Sequence, residues 1–248
     1  MLLLMQKTAI IVPCYKEAAR LQPELFIRFL QQRPDADLLM VDDGSPDNTA
    51  EVLSTLAASI PGRIHLISLK KNSGKAEAVR QGLLHAIKTP DYTYAGYLDA
   101  DLSTSPEEFI RLKDILASDS LDYVLGSRIK TLQSSIQRSQ FRHLTGRFIA
   151  TLIDTKYRLG IYDTQCGAKC FRIDLLQQII EQPFTTKWFF DVELLLRIRN
   201  LQMARRGAEI PLRRWHDPGG SRLSIWKSPE VMADMWRLFN HYKRNTHD

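Results

Sequence analysis

The chain has no apolar run of membrane-spanning length. The opening "MLLLM" is far too short to cross a bilayer or to act as a signal peptide. Cysteine is scarce: Cys14, Cys166 and Cys170 form no disulfide framework, which points to a reducing compartment. No Cys/His pair with zinc spacing accompanies Cys166 and Cys170, so both read as core thiols. The G-x-G-x-x-G fingerprint of dinucleotide binding is absent. "KNSGKAEAVRQG" puts Gly74–Lys75 at a helix start, yet it lacks the upstream glycine of a P-loop. It also has Ala76 where a Ser or Thr would hold Mg²⁺. ATP hydrolysis thereby loses its main support, while Lys75 stays a candidate for a phosphate. No repeat or low-complexity segment occurs. These absences lead us to expect a cytoplasmic protein, soluble or peripheral on the inner face of the membrane.

Acids are missing from one long stretch. Between Tyr123 and Ile153 there is no Asp or Glu, yet Arg128, Lys130, Arg138, Arg142 and Arg147 all occur. Arg138 and Arg142 are i,i+4 neighbours if this is a helix, with Phe141, Leu144, Phe148 and Leu152 as an adjacent apolar stripe. Such a helix would pack by its stripe and present arginines to a phosphate or diphosphate, which arginine grips in bidentate fashion. A solvated basic face is the plainer alternative. The net charge of +6 leans toward anionic partners. No helix-turn-helix, zinc-finger or RNA-binding aromatic signature accompanies it, so nucleic acid is not expected.

What is present is an alternation. "TAIIVPCY", "ADLLMVDDGS", "RIHLISL", "YTYAGYLD" and "DYVLGS" read as strands. Helical patterns lie between them, over roughly 18–33, from Ser45 (as N-cap), from Gly74 and from Ser105. Strands alternating with helices imply an α/β fold with a mostly parallel sheet flanked by helices. Its 248 residues suffice for a sizeable core. After about residue 128 the alternation weakens, and a helix over about 138–158 precedes shorter elements. We read residues 1–128 and 129–227 as two halves of one domain, the second an appended acceptor-side region. Residues 228–248 read as an amphipathic helix and tail, with Met232, Met235, Trp236, Phe239 and Tyr242 on one face. That face either lies in a membrane interface or packs on its own domain.

Ligands of parallel sheets bind at the carboxyl ends of strands. The clusters "PCYKE", "DDGS", "DAD" and "GSR" all fall there. In an extended segment Asp99 and Asp101 point the same way and reach one ion together. Hard oxygen donors of this kind suit Mg²⁺ or Mn²⁺, which gains further ligands from substrate phosphates.

The ordered set "IVPCYKEAARL", "MVDDGSPDNT", "KKNSGKAEAVRQGL", "LDADLSTSPEE", "LGSR", "YDTQCGAKCFR", "KWFFDVELL" and "GGSRLS" resembles family 2 glycosyltransferases of GT-A fold. Within them it is most similar to the polyprenyl-phosphate and dolichyl-phosphate mannose and glucose synthases. The resemblance implies a metal-dependent, inverting transfer of a hexose from UDP-glucose or GDP-mannose to a polyprenyl-phosphate lipid. It implies that Pro13, Tyr15 and Glu17 contact base and ribose, with Val41 and Asp43 completing that pocket. Asp99 and Asp101 would bind the metal, with Ala100 lining the same site. Arg128 and Arg142 would hold phosphates, Gln165 would lie near the acceptor, and Arg222 would bind phosphate from a loop. Ser103 sits where some relatives place a further metal ligand, Gly146 where some have a phosphate-binding serine, and His216 where mannose-type relatives have an arginine.

The acceptor decides whether a base is needed. A phosphate monoester, with a second pKa of about 6, is mostly ionised at neutral pH and attacks unaided. A sugar hydroxyl requires a carboxylate within reach. Asp191 is the candidate base; a helix cap or an ion-pair partner is its plainer role. A soluble family 2 enzyme with a hydroxyl acceptor and a non-catalytic nucleotide-sugar-binding protein are the alternatives. The sequence leaves the oligomeric state open.

Overall fold

A computed structural model describes residues 6–132, 134–137, 140–201, 205–216 and 229–242, with backbone alone for 140–143. Strand β1 (Lys7–Cys14) and strand β2 (Ala36–Asp42) are buried along nearly their whole length, as strands covered on both faces must be. Side chains alternate between two apolar clusters. Ile10, Val12, Leu38 and Met40 face one cluster, whereas Ala9, Ile11, Leu39 and Val41 face the other. Helices α1 (Pro23–Gln32), α2 (Thr49–Ser59) and α4 (Pro106–Ser118) contribute Phe26, Phe29, Leu53, Leu56, Phe109 and Leu112 to the first cluster. Helices α3 (Lys75–Lys88), α6 (Ile173–Ile179) and α7 (Phe190–Arg199) cover the opposite face.

The remaining strands are β3 (Ile64–Ser68), β4 (Tyr92–Tyr97), β5 (Tyr123–Ser127), β7 (Lys169–Arg172) and β8 (Gly207–Pro211). The sheet order is β3-β2-β1-β4-β7-β5-β8. All neighbours run parallel except β7, which is antiparallel to both β4 and β5. A separate two-stranded ribbon pairs β6 (Ser135–Gln137) with β9 (Arg214–His216). The chain steps outward from β1 to β3, then returns to place β4 on the other side of β1. That reversal opens a crevice at the carboxyl ends of β1 and β4.

The expected fold class holds, and the second half proves more integral than an appendage. It supplies β7 and β8 to the central sheet, with β7 wedged into its middle. The wedge is possible because Gly96 has no side chain: a Cβ there would come within 2.0 Å of the Lys169 carbonyl oxygen.

Three local expectations are corrected. Helix α1 begins at Pro23, not near residue 18, because proline seats itself in the first turn and residues 18–21 fold back on the Glu17 carbonyl. Ser45 does not cap α2; its amide is taken by Asp42, and the helix starts at Thr49. On α5 (Gln140–Tyr157) the buried stripe is Ile149, Ile153 and Tyr157, while Leu144 and Phe148 are exposed. The helix carries two apolar stripes, and packing against α7 selects the second.

Helix α8 (Pro229–His241) joins that third cluster through Val231, Met235 and Leu238. Its Asp234, nearly fully buried, accepts hydrogen bonds from the amides of Lys187, Trp188 and Phe189, just ahead of α7. The amphipathic face is therefore split. Met235 packs inward, while Met232 and Trp236 stay exposed, 54% and 68% respectively.

Replacing Gly96 with Ala forces a methyl into backbone that cannot yield. A loss of at least about 2 kcal/mol is expected in equilibrium denaturation; an unchanged midpoint would contradict the β4–β7 approach.

Candidate active site

Site construction begins with two aspartates after β2. Asp42 accepts from the amide of Ser45 at 3.1 Å and closes the "DDGS" turn. Asp43 accepts from the amides of Ser73 (2.7 Å) and Gly74 (2.8 Å), tying β2 to the start of α3. Burial nevertheless raises the Asp43 pKa, with those two amides opposing it. Asp43 thus shapes the pocket by fixing its wall. Val41 does not line the pocket as expected. Its side chain is fully buried in the core, because alternation along β2 turns it inward.

Tyr15 is exposed at 39% beside half-buried Pro13, at the mouth of the crevice. Glu17 is nearly buried, and its carboxylate pairs with Arg20 at 2.5 Å. The loop carrying it hangs on Thr49, whose hydroxyl accepts from the amides of Glu17 (2.9 Å) and Ala18 (3.1 Å). Burial raises the Glu17 pKa; Arg20 opposes the shift and the nearby charges of Asp101 and Asp99 reinforce it. Its Oε2 is buried without a hydrogen-bond partner.

The carboxylate pair lies in a turn beyond β4, closed by a bond from the Leu102 amide to the Asp99 carbonyl. The turn, not strand alternation, therefore juxtaposes Asp99 and Asp101. It ends in Leu102, held at φ 54°, a left-handed conformation costly for leucine. Ala100 points away from the site into the first core cluster, another departure from expectation. Ser103 donates its amide (2.9 Å) and its hydroxyl (2.6 Å) to Oδ1 of Asp101. It thus orients that carboxylate. The ribbon joins in, as the His216 amide donates to the Ser103 carbonyl at 3.2 Å.

Asp99 is engaged differently. Oδ1 accepts a hydrogen bond from the Lys75 ammonium. Desolvation opposes the Lys75 charge, but Asp99, Asp191 and Asp101 outweigh it and hold its pKa above the usual lysine range. Among the described residues, no group of three or more His, Cys, Asp or Glu side chains forms a self-sufficient metal cage. Two carboxylates fit a hard divalent ion that completes its shell with water and substrate phosphate. The thiols stay out of this chemistry: burial pushes Cys166 up to about 11 and Cys170 up to about 12.

Across the crevice Arg128 makes a two-pronged ion pair with Asp163, at 2.7 and 2.8 Å, and its guanidinium lies 5.5 Å from the Trp215 ring. Burial works against that charge, but Asp163 holds the arginine firmly protonated. The fork expected to hold phosphates is thus already occupied in this state. Glu209 accepts from the amides of Tyr162 (2.8 Å) and Asp163 (2.7 Å), fixing this loop. Three buried polar atoms at the same strand end and loop have no partner among the described residues: Ser127 Oγ, Thr164 Oγ1 and Gln165 Nε2. Unsatisfied buried groups cost stability unless a ligand or water completes them. Arg138 and Arg222, and the side chain of Arg142, lie outside the described residues.

Asp191, at the start of α7, is 4% exposed. Its Oδ1 accepts from the Tyr97 hydroxyl and from the Lys169 ammonium, each at 2.5 Å. Burial drives the Tyr97 hydroxyl well above its ordinary pKa, and the Asp191 charge adds to the effect. Sequence reasoning overlooked Lys169, Tyr97, Gly167, Asp163, Glu209 and Thr49. A signal existed for one of them: a lysine in the apolar "GAKCF" asks for a buried partner, and "FFDVELL" offers one.

The sequence pattern of "Glycosyl transferase family 2" matches residues 9–180. The chain belongs to glycosyltransferase family 2. It is a glycosyltransferase, similar to a dolichyl-phosphate beta-glucosyltransferase of Dictyostelium discoideum at 32% identity over 94% of this chain and 74% of that protein. An undecaprenyl-phosphate 4-deoxy-4-formamido-L-arabinose transferase of Sodalis glossinidius is 31% identical over 92% of this chain and 66% of that one. Among solved structures, glucosyl-3-phosphoglycerate synthase of Mycobacterium tuberculosis, crystallised with Mn²⁺, UDP and phosphoglyceric acid, shares the fold. It superposes with a TM-score of 0.68 at 18% identity, over 97% of this chain and 80% of that chain.

The raised Glu17 pKa has a consequence for stability. A carboxyl whose folded pKa is raised contributes stability below its unfolded pKa and loses it as pH rises through the folded value. Glu17→Gln should therefore raise Tm at pH 7.5 in metal-free buffer, and the gain should shrink as pH falls toward about 4.5. Calorimetry across that range checks it; a gain independent of pH would argue against a raised Glu17 pKa.

Proposed function

We infer that this glycosyltransferase moves a hexose from a nucleoside diphosphate sugar to a polyprenyl phosphate, with inversion at the anomeric carbon. One observation carries the choice of acceptor. The only carboxylate put forward as a base, Asp191, is buried and committed to Lys169 and Tyr97. A hydroxyl acceptor needs a base, and an ionised phosphate does not. The names of the relatives point the same way, to dolichyl and undecaprenyl phosphates, and their glucosyl members favour UDP-glucose as donor.

In this reading Asp99 and Asp101 hold Mg²⁺ or Mn²⁺ against the donor diphosphate. The ion, when bound, neutralises charge gathering on the leaving oxygen. Lys75 leaves Asp99 and turns to the phosphates, adding a fixed positive charge where the leaving group develops. Tyr15 and Pro13 face the base, and Glu17 the ribose. Gln165, Thr164 and Ser127 supply hydrogen bonds from polar atoms that have no partner among the described residues. An acceptor phosphate oxygen attacks the anomeric carbon, the bond to the diphosphate oxygen breaks, and nucleoside diphosphate departs. Holding both reactants in line removes much of the entropic barrier.

The lipid must be met at a surface. Among the described residues no helix is long and apolar enough to cross a membrane. Leu144 and Phe148 on α5 and Met232 and Trp236 on α8 are exposed, on two helices that pack together. These residues, with Arg147 and Arg237 nearby in sequence, form the face we assign to the bilayer interface.

Labelled UDP-glucose with a short polyprenyl phosphate in detergent tests the reading. Transfer should require Mg²⁺ or Mn²⁺, and Asp99→Asn or Asp101→Asn should lower it by roughly 100-fold or more. Robust transfer to a free sugar hydroxyl, with none to the lipid phosphate, would replace this reading by the hydroxyl-acceptor one. Separately, the chain should sediment with anionic liposomes, less so at high salt, and Trp236→Ser with Phe148→Ser should release it. Sedimentation indifferent to both changes would remove those helices from the interface.

A further inference from the structure

The seat of Asp99 is built from residues to which no role in the reaction has been given. The carboxylate lies flat against Gly167: a Cβ on that glycine would stand 2.1 Å from Oδ2 and 2.6 Å from the carboxyl carbon. Gly167 belongs to the bend that leads into β7. That bend is tied down by Lys169, whose fully buried ammonium donates to the Cys166 carbonyl at 2.6 Å. The same ammonium pairs with Asp191, and Asp191 in turn accepts from Tyr97, two residues before Asp99 on the adjoining strand. β4 and β7 are in register there, with Tyr97 opposite Lys169. A closed circuit results: Asp99, Gly167, the Cys166 carbonyl, Lys169, Asp191, Tyr97 and back along β4.

A lone buried ion pair is weak evidence for stability, since an apolar pair of similar volume often serves as well. Here the ammonium has a second task that an apolar group would not perform, because it holds a carbonyl one residue from the surface on which Asp99 rests. We propose that Lys169, with Asp191 and Tyr97, is a positioning element that fixes the Gly167 bend as the seat of Asp99 and so sets the affinity of the site for its divalent ion. The proposal rests on the metal-holding role of Asp99 given above. Asp191 then acts through its partners and touches no substrate.

Two variants of the full chain test it. Gly167→Ala pushes a methyl onto the carboxylate, and its backbone is not held in the left-handed region. Lys169→Met with Asp191→Leu removes both charges together, leaving neither buried alone. Mn²⁺ binding is read directly by electron paramagnetic resonance in the presence of UDP, and UDP binding in EDTA by thermal shift. Both variants should lose tenfold or more in Mn²⁺ affinity while the UDP shift in EDTA stays as in the unaltered chain. A remote core variant that lowers Tm comparably, Leu56→Ala, should keep its Mn²⁺ affinity. Full Mn²⁺ affinity in either folded variant would overturn the proposal. If the double variant does not fold, Tyr97→Phe, which removes one hydrogen bond of the circuit and leaves the ion pair intact, replaces it: a weakened Mn²⁺ affinity supports the proposal and full affinity overturns it. An unaltered chain that binds UDP but no Mn²⁺ would overturn the metal reading and this proposal together, whereas normal Mn²⁺ binding in every variant would overturn this proposal alone.

Discussion

A lysine and an aspartate sealed from water lock β7 to α7, and the Tyr97 hydroxyl ties that pair to β4 in the first half of the chain. Lys169 opens the antiparallel strand wedged into the parallel sheet, and Asp191 lies in the first turn of the helix that covers it. Removing one partner of such a pair typically costs about 3–5 kcal/mol, because the other is left charged in a medium that cannot solvate it. The position of β7 follows from that constraint together with the missing side chain at Gly96. The bends flanking β4 and β7 follow in turn, and the crevice between them inherits its shape.

Electrostatics in the crevice has a common pattern. Its cations rest on carboxylates of the same site, Lys75 on Asp99 and Arg128 on Asp163. Its uncompensated polar atoms, at Glu17, Ser127, Thr164 and Gln165, are buried and wait for partners. Asp99 and Asp163 keep those cations charged and in place inside the crevice until a ligand competes for them. The charges of Asp101 and Asp99 add to the burial that raises the Glu17 pKa, with Arg20 opposing both.

Much of this was legible in the sequence for identifiable reasons. The first five parallel strands announce themselves as apolar runs, and helix α4 by a serine whose hydroxyl does accept from the Glu108 amide. Polar clusters at strand ends led to the crevice, since only those ends converge there. What stayed hidden depends on direction and choice. Val41 and Ala100 sit within good motifs, yet their side chains point inward, and a one-residue step decides that. Strand β7 is four residues long and begins with a charge, so it carries little strand signal. Helix α5 has two apolar stripes of similar weight, and only its neighbours determine which is covered. Arg128 read as a phosphate hand, but the carboxylate that occupies it lies 35 positions away.

Asp234 gives the C-terminal helix a meaning beyond amphipathicity. By accepting three successive amides just ahead of α7, it anchors from a distant part of the chain the segment that leads into that helix. Helix α8 is therefore a foundation stone of the segment ahead of α7. Any force that bends it at a surface is delivered, through three hydrogen bonds, to the first turn of the helix that holds Asp191.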